Sequence, residues 1–219
     1  MLWRLLPHAT LCVASGRLIL LDVRQDRYSL LPTALADPMR RWLSEDALSP
    51  LPAPLLRLFQ AGGVVRAGDP PTVHTQEYIR IPQTLAAPPP CLPTSAWRSA
   101  SRVGAAVGRT WLELRLRPLE AILNRVTQRR IRGAPAGTDR LVKQSALYDA
   151  ARRYSPFARS CLLDSLALDA WLAGGDCGRR LVFGVTAEPF GAHCWLQTPH
   201  AILNDSYERV SRYTPILSA

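Results

Sequence analysis

A chain of 219 residues with 47% hydrophobic and 20% charged side chains can bury a real core and is too apolar to be disordered as a whole. Its formal charge of +10 rests almost entirely on arginine, because Lys143 is the only lysine. The cysteine count is five, an odd number that excludes a complete intrachain disulfide framework.

Arg4, Pro7, His8 and Arg17 interrupt the opening stretch too often for a signal-peptide apolar region. No segment approaches the roughly 20 apolar residues of a membrane span. The expectation is a cytoplasmic protein with reduced thiols, each a small core residue, a metal ligand or a nucleophile. Charge is uneven along the chain: residues 1–90 carry +2, residues 91–160 carry +10 and residues 161–219 carry −2.

In chain order, Thr10–Val13 and Arg17–Asp22 read as strands joined through Ala14-Ser15-Gly16, and Arg27–Leu31 as a third strand. A helix opens at Thr33, or at Asp37 with Pro38 in first position, and turns Met39, Trp42 and Leu43 inward. A second helix near Ala53–Ala61 buries Leu55, Leu56 and Phe59 and stops at Gly62-Gly63, before a short extended piece at Val64-Val65-Arg66. Strands, two helices and a terminal strand describe a small winged-helix-like module. A charge of +2 over residues 1–90 gives this part of the chain little capacity to neutralise phosphates. A lid without a ligand is the plainer alternative.

The run GRLILLDVRQDRYSLLPTALADPMRRWL resembles the start of PqqD-like peptide-recognition domains. That resemblance implies that a precursor's leader segment adds as a strand to an open sheet edge and packs on a helix, a physically sound mode of binding. Carried onto this sequence, the edge contributes Arg27, Tyr28, Ser29 and Leu30, and the helix contributes Leu56 and Phe59.

Seven prolines between Pro70 and Pro93 mark a semi-rigid linker and a domain boundary. Beyond it, Trp97, Val103, Val107, Trp111 and Leu114 recur at helical spacing with arginines between them. Arg117-Pro118 restarts the helix, Ile122, Leu123 and Val126 continue its apolar face, and Thr138 caps another helix after the Gly133–Gly137 turn. This basic array reads as a solvated helix face, as a nucleic-acid surface, or as a docking face for an acidic partner.

In the last third, Ser155-Pro156 makes a turn and Ser160 caps a helix with Cys161 in its first turn. Leu162, Leu163, Leu166, Ala170 and Trp171 form its buried stripe, and Gly174-Gly175 end it. Strands follow at Arg180–Thr186 and Ala192–Gln197, and Thr198-Pro199-His200 turns into an extended Ala201–Asp205. A cysteine at a helix N-terminus faces unpaired N–H groups and the positive dipole end, which favours the nucleophilic thiolate. His193 can take and return the proton, and Asp205, 12 residues on, can orient it across a hairpin. Cys194 alternates to the opposite face, Cys177 follows the helix and Cys12 lies in a strand; none has a partner spacing. A zinc site from these cysteines with His193 and His200 lacks any Cys-x-x-Cys pair. Trp195 shares the His193 face, as a shield for it or as plain core, and His8, His74 and His200 are expected to be solvated.

SCLLDSLAL around Cys161, LVFGV with PFGAHCWLQ around His193, and ILND ending at Asp205 resemble the transglutaminase-like cysteine-peptidase superfamily. They are closer still to the leader peptidases of lasso-peptide biosynthesis. The resemblance implies an α+β protein: residues 1–68 a winged-helix-like, PqqD-like recognition domain, 69–94 a proline-rich linker, and 95–219 a papain- or transglutaminase-like cysteine peptidase domain. Cys161 is then the nucleophile, His193 the proton shuttle and Asp205 its orienter. The Cys161 N–H gives half of an oxyanion hole, with Gln144 a candidate for the rest. It further implies a precursor peptide as substrate and an ATP-dependent lasso cyclase as partner, with no nucleic acid, membrane span, metal or cofactor. The basic middle segment would serve the cyclase or the precursor. An acyl transferase with the same triad and a non-enzymatic nucleic-acid-binding adaptor are the alternatives.

Overall fold

The computed structural model describes residues 3–44, 50–68, 79–82, 96–132, 137–172 and 178–219. The chain divides into two units, Met1–Ile79 with Val185–Gly191 and Thr214–Leu217, and Arg80–Gly184 with Ala192–Tyr213 and Ser218–Ala219. Most of the proline-rich linker, the Gly174-Gly175 stop, Cys177 and His74 lie outside the described residues.

The first unit opens with β1 (Trp3–Leu5), β2 (Ala9–Ala14), β3 (Arg17–Asp22) and β4 (Arg27–Leu30). Ser15 and Gly16 both take left-handed φ, 48° and 76°, so a two-residue turn joins β2 to β3 with Ala14 opposite Arg17. The Asp22 carboxylate accepts the N–H groups of Arg24 and Gln25 and fixes the next turn. Strand order β2-β3-β4 leaves β4 at an edge. Leu31 N–H donates to the Leu18 carbonyl, so by alternation Tyr28 and Leu30 direct their backbone groups to the outer side.

A 3-10 turn at Thr33–Leu35 runs directly into α1 (Ala36–Ser44). The helix therefore starts before Asp37, and Pro38 is its third residue rather than its first; within the first turn its missing N–H costs no hydrogen bond. Next come α2 (Ala53–Ala61), ended by Gly62 and by Gly63 at φ +64°, and β5 (Val65–Ala67). β5 pairs antiparallel with β1 in a separate two-stranded sheet, a long-range pairing that three-residue strands do not announce. Leu11, Leu18, Met39, Trp42, Leu55 and Phe59 form the core.

Two expectations change here. Phe59 is 1% exposed and packs inside that core, so it offers no surface to a peptide; Leu56 is only partly buried. His8, expected in solvent, is 8% exposed, with its carbonyl accepting the Val23 N–H as the chain enters β2.

The second unit contains α3 (Ala96–Leu116), α4 (Leu119–Arg132), α5 (Thr138–Arg152) and α6 (Cys161–Trp171). In chain order β6 (Arg180–Ala187), β7 (Phe190–Gln197), α7 (Tyr207–Val210) and β8 (Thr214–Ser218) follow, of which Val185–Gly191 and Thr214–Leu217 are counted with the first unit. α3 packs on α5 and α6 through its buried Val103 and Val107, and Pro118 separates it from α4. The sheet has order β7-β6-β8, and Leu181 and Ala219 exchange both backbone hydrogen bonds at 2.9 Å. Thr138 is the first helical residue of α5, with Gly137 at its N-cap, and Lys143 is exposed along it.

Ala201–Asp205 is not a strand. Only Gln197 and Ile202 bridge, because Thr198 closes a tight turn with Ala201, and the Asn204 side chain takes the Leu196 N–H that a strand partner would have used.

Much of the basic segment is engaged internally. Arg125 grips Glu113 with two bonds of 2.8 and 3.0 Å, Arg115 stacks 4.2 Å over Trp111, and Arg102 lies 5.3 Å over Trp171. Arg152 is 2% exposed. Among the described residues, no helix is long and apolar enough to cross a membrane.

Candidate active site

The construction starts before Cys161. Arg152, at the end of α5, donates to the carbonyls of Phe157 (3.0 Å) and Ala158 (3.2 Å) and binds the Asp164 carboxylate at 2.6 Å. One planar guanidinium thus ties the approach loop to the first turns of α6, a task that suits its fixed fork of donors. Phe157 closes the same loop against Trp111 (centroids 5.3 Å apart) and against Gly108, where a Cβ would come within 3.3 Å of its ring.

Ser160 is the N-cap of α6, in extended conformation, and its hydroxyl oxygen accepts the Leu163 N–H at 3.3 Å. Cys161 follows as the first helical residue, half-buried. Its thiol is held below the ordinary value by the hydrogen bond with His193. Burial works against this shift, while the charge of His193 and the backbone N–H groups of Cys194 and Leu162 assist it.

His193 sits on β7, and its Nε2 is 2.5 Å from Asp205 Oδ2, which leaves Nδ1 for the sulfur. Burial alone would lower its pKa. Hydrogen bonds and charge from Asp205 and Cys161 outweigh burial and push it up to about 9. Asp205, despite the opposing effect of burial, is held below the usual carboxylate value by His193, by the Ser206 N–H at 2.8 Å and by Arg209 at 4.0 Å. The lowered thiol and the raised imidazole both favour the thiolate–imidazolium form of the pair, with the Asp205 carboxylate on the far side of the ring.

Aromatic rings enclose the histidine. Trp195 stacks at 6.1 Å with an interplanar angle of 26°, and Tyr213 lies 5.0 Å away. Trp195 is fully buried, so it is both core and shield; its indole N–H donates to Gln197, whose amide donates to the Arg80 carbonyl. Gly184 on β6 makes room for both residues, since a Cβ there would lie 2.8 Å from the Trp195 ring and 2.8 Å from the Tyr213 Cβ.

The three residues read from the sequence are therefore brought together. Arg27, Tyr28, Ser29 and Leu30 lie on β4 in the first unit, with Leu30 45% exposed. Gln144 is half-buried on α5, and Cys12 and Cys194 are buried with thiols pushed up by that burial. Among the described residues, no group of three or more His, Cys, Asp or Glu side chains is arranged to hold a metal ion.

Sequence reasoning missed Arg152, Tyr213, Gly184, Ser165 and Asn204. Only Gly184 gave a local sign, as an isolated glycine inside an apolar strand.

No curated protein and no solved structure matches the chain. A family model described as the transglutaminase-like superfamily matches residues 109–218. This domain carries a fold of cysteine peptidases and acyltransferases. The match spans half of the chain and contains Cys161, His193 and Asp205, and the chain belongs to the transglutaminase-like superfamily.

Proposed function

We propose that this protein is a cysteine peptidase that removes the leader of a ribosomally made lasso-peptide precursor and frees the core for an ATP-dependent lasso cyclase. The observation that carries the chemistry is His193, hydrogen-bonded to Cys161 on one side and to Asp205 on the other. The Cys161 thiolate attacks the scissile carbonyl, forming a C–S bond. His193 passes its proton to the leaving nitrogen as the C–N bond breaks. Water, deprotonated by His193, then opens the thioester and restores the thiolate.

The leader assignment is supported by the resemblance of the first unit to peptide-recognition domains and by the edge position of β4. Outward backbone groups at Tyr28 and Leu30 match what an added strand requires. Arg27 and Ser29 flank them, and Leu56 of α2 is the helical residue left for contact once Phe59 is assigned to the core.

The test is to incubate the full chain with the precursor and weigh the products, beside Cys161→Ala. Two fragments from the native protein and a rate at least about a thousandfold lower in the variant are expected. An intact precursor, or equal cutting by the variant, overturns the proposal. The superfamily also accommodates acyl transfer, so the reaction is repeated with a primary amine present. An amide-linked adduct in place of the free acid would assign the acyl-enzyme to an amine acceptor.

A further inference from the structure

The three residues come from α6, β7 and the turn before α7; the last two are tied by the Gln197–Ile202 bridge and by the Leu203 N–H to the Leu196 carbonyl, whereas α6 shares no backbone ladder with either. Their mutual geometry depends on what joins those elements, and one buried hydroxyl joins all of them. Ser165 lies one helical turn after Cys161 and is 0% exposed. Its hydroxyl donates to the Cys194 carbonyl at 3.1 Å, next to His193. It also accepts from Asn204 Nδ2 at 2.8 Å, next to Asp205. Asn204 Oδ1 in turn accepts the Leu196 N–H at 2.8 Å. That backbone donor fixes which way the amide points, so the Nδ2 group is committed to Ser165.

We propose that Ser165 and Asn204 are positioning residues that lock the nucleophile helix, the histidine strand and the aspartate turn into one register. The two Ser165 links end at Cys194 and Asn204, the neighbours of His193 and Asp205, and neither touches the reacting atoms. Removing Ser165 takes one partner from the buried Cys194 carbonyl and one from the half-buried Asn204 amide, and frees α6 to shift against β7. Closure of the Cys161–His193 contact then weakens, and with it the fraction of thiolate. The inference rests on the Cys161–His193–Asp205 reading and not on the identity of the substrate.

The groups that set the local titration are few. Asp205, Arg209 and Tyr213 face the pair from the 204–213 segment, and Cys194 lies beside it on β7. On α6, Asp164 is paired with Arg152 and Asp169 with Arg179. Neither Ser165 nor Asn204 adds a charge, so their removal acts through geometry.

The experiment measures alkylation of Cys161 by iodoacetamide as a function of pH in the full chain, localised by peptide mapping, with no peptide substrate present. Native protein, Ser165→Ala, Asn204→Ala and the double variant are compared, with unfolding midpoints and circular dichroism recorded for each. Both single variants are expected to be folded, to lose about tenfold in alkylation rate at pH 6, and to move the acid limb up by about one pH unit. The double variant should lose little more than either single one, since both act on the same node. pH profiles that superimpose on the native one, whatever the change in midpoint, reduce Ser165 and Asn204 to a purely structural role and overturn the inference. A native profile without an acid limb overturns the triad reading itself, which separates the two failures.

Discussion

The core of the first unit, around Met39, Trp42, Leu55 and Phe59, is made of apolar side chains, and its candidate binding feature is the outer side of the edge strand β4. The second unit instead fastens α6 with two largely buried ion pairs, Arg152–Asp164 at 2.6 Å and Arg179–Asp169 at 2.7 Å. Apolar burial is non-directional and suffices where a strand edge only has to be present. A nucleophile has to be aimed. Directional bonds can do that, although buried ion pairs add little net stability.

The most severe way to break this contrast is Arg152→Met. It strands the Asp164 carboxylate and two carbonyls, and a loss of about 3–5 kcal/mol is expected in urea unfolding. Arg152→Met combined with Asp164→Leu should recover most of that stability but not the alkylation rate of Cys161. A single-variant loss under about 1 kcal/mol would show that α6 is held by packing alone, as in the first unit.

A smaller effect comes from Asp205→Asn, expected to cost about 1.5–3 kcal/mol near pH 6. The dependence on pH sharpens the contrast, because the imidazole is raised to about 9 and the carboxyl lowered. Stabilisation from the raised imidazole is complete below its ordinary 6.5 and lost as pH rises through about 9. Stabilisation from the lowered carboxyl is present above its ordinary 3.8 and lost as pH falls through the depressed value. The gap in unfolding midpoint between native protein and variant should therefore be widest between pH 3.8 and 6.5 and close on both sides. A gap independent of pH would remove the ion pair from the account.

The mildest test is on the other unit. Leu30→Pro deletes one outward N–H from β4 without touching the ladder to β3. Leader affinity should fall about tenfold by titration calorimetry, with Cys161 alkylation unchanged. Unchanged affinity would remove the β4 edge as the binding feature.

What could be read from the sequence was what local chemistry dictates. Ser160 before Cys161 announced a capped helix with the cysteine in its first turn, Ser15-Gly16 announced a hairpin, and alternation put Trp195 on the His193 face. What could not be read depends on distant partners. Arg152 sat in a basic run that looked like a solvated face, and only Asp164, Phe157 and Ala158 reveal its burial. β1 and β5 are 60 positions apart in register at Leu5 and Val65. The 201–205 segment has an extended pattern, yet Thr198 and Asn204 side chains replace the ladder it would have joined.

The lone lysine carries a practical consequence. Lys143 is exposed on α5, and lysine side chains are the usual amine acceptors on a protein surface. A thioester formed at Cys161 would meet one such ε-amino group per copy of the chain, so self-crosslinking is nearly silent. Any amine adduct seen in a partition experiment would then report the added amine, and Lys143→Arg would remove the remaining background.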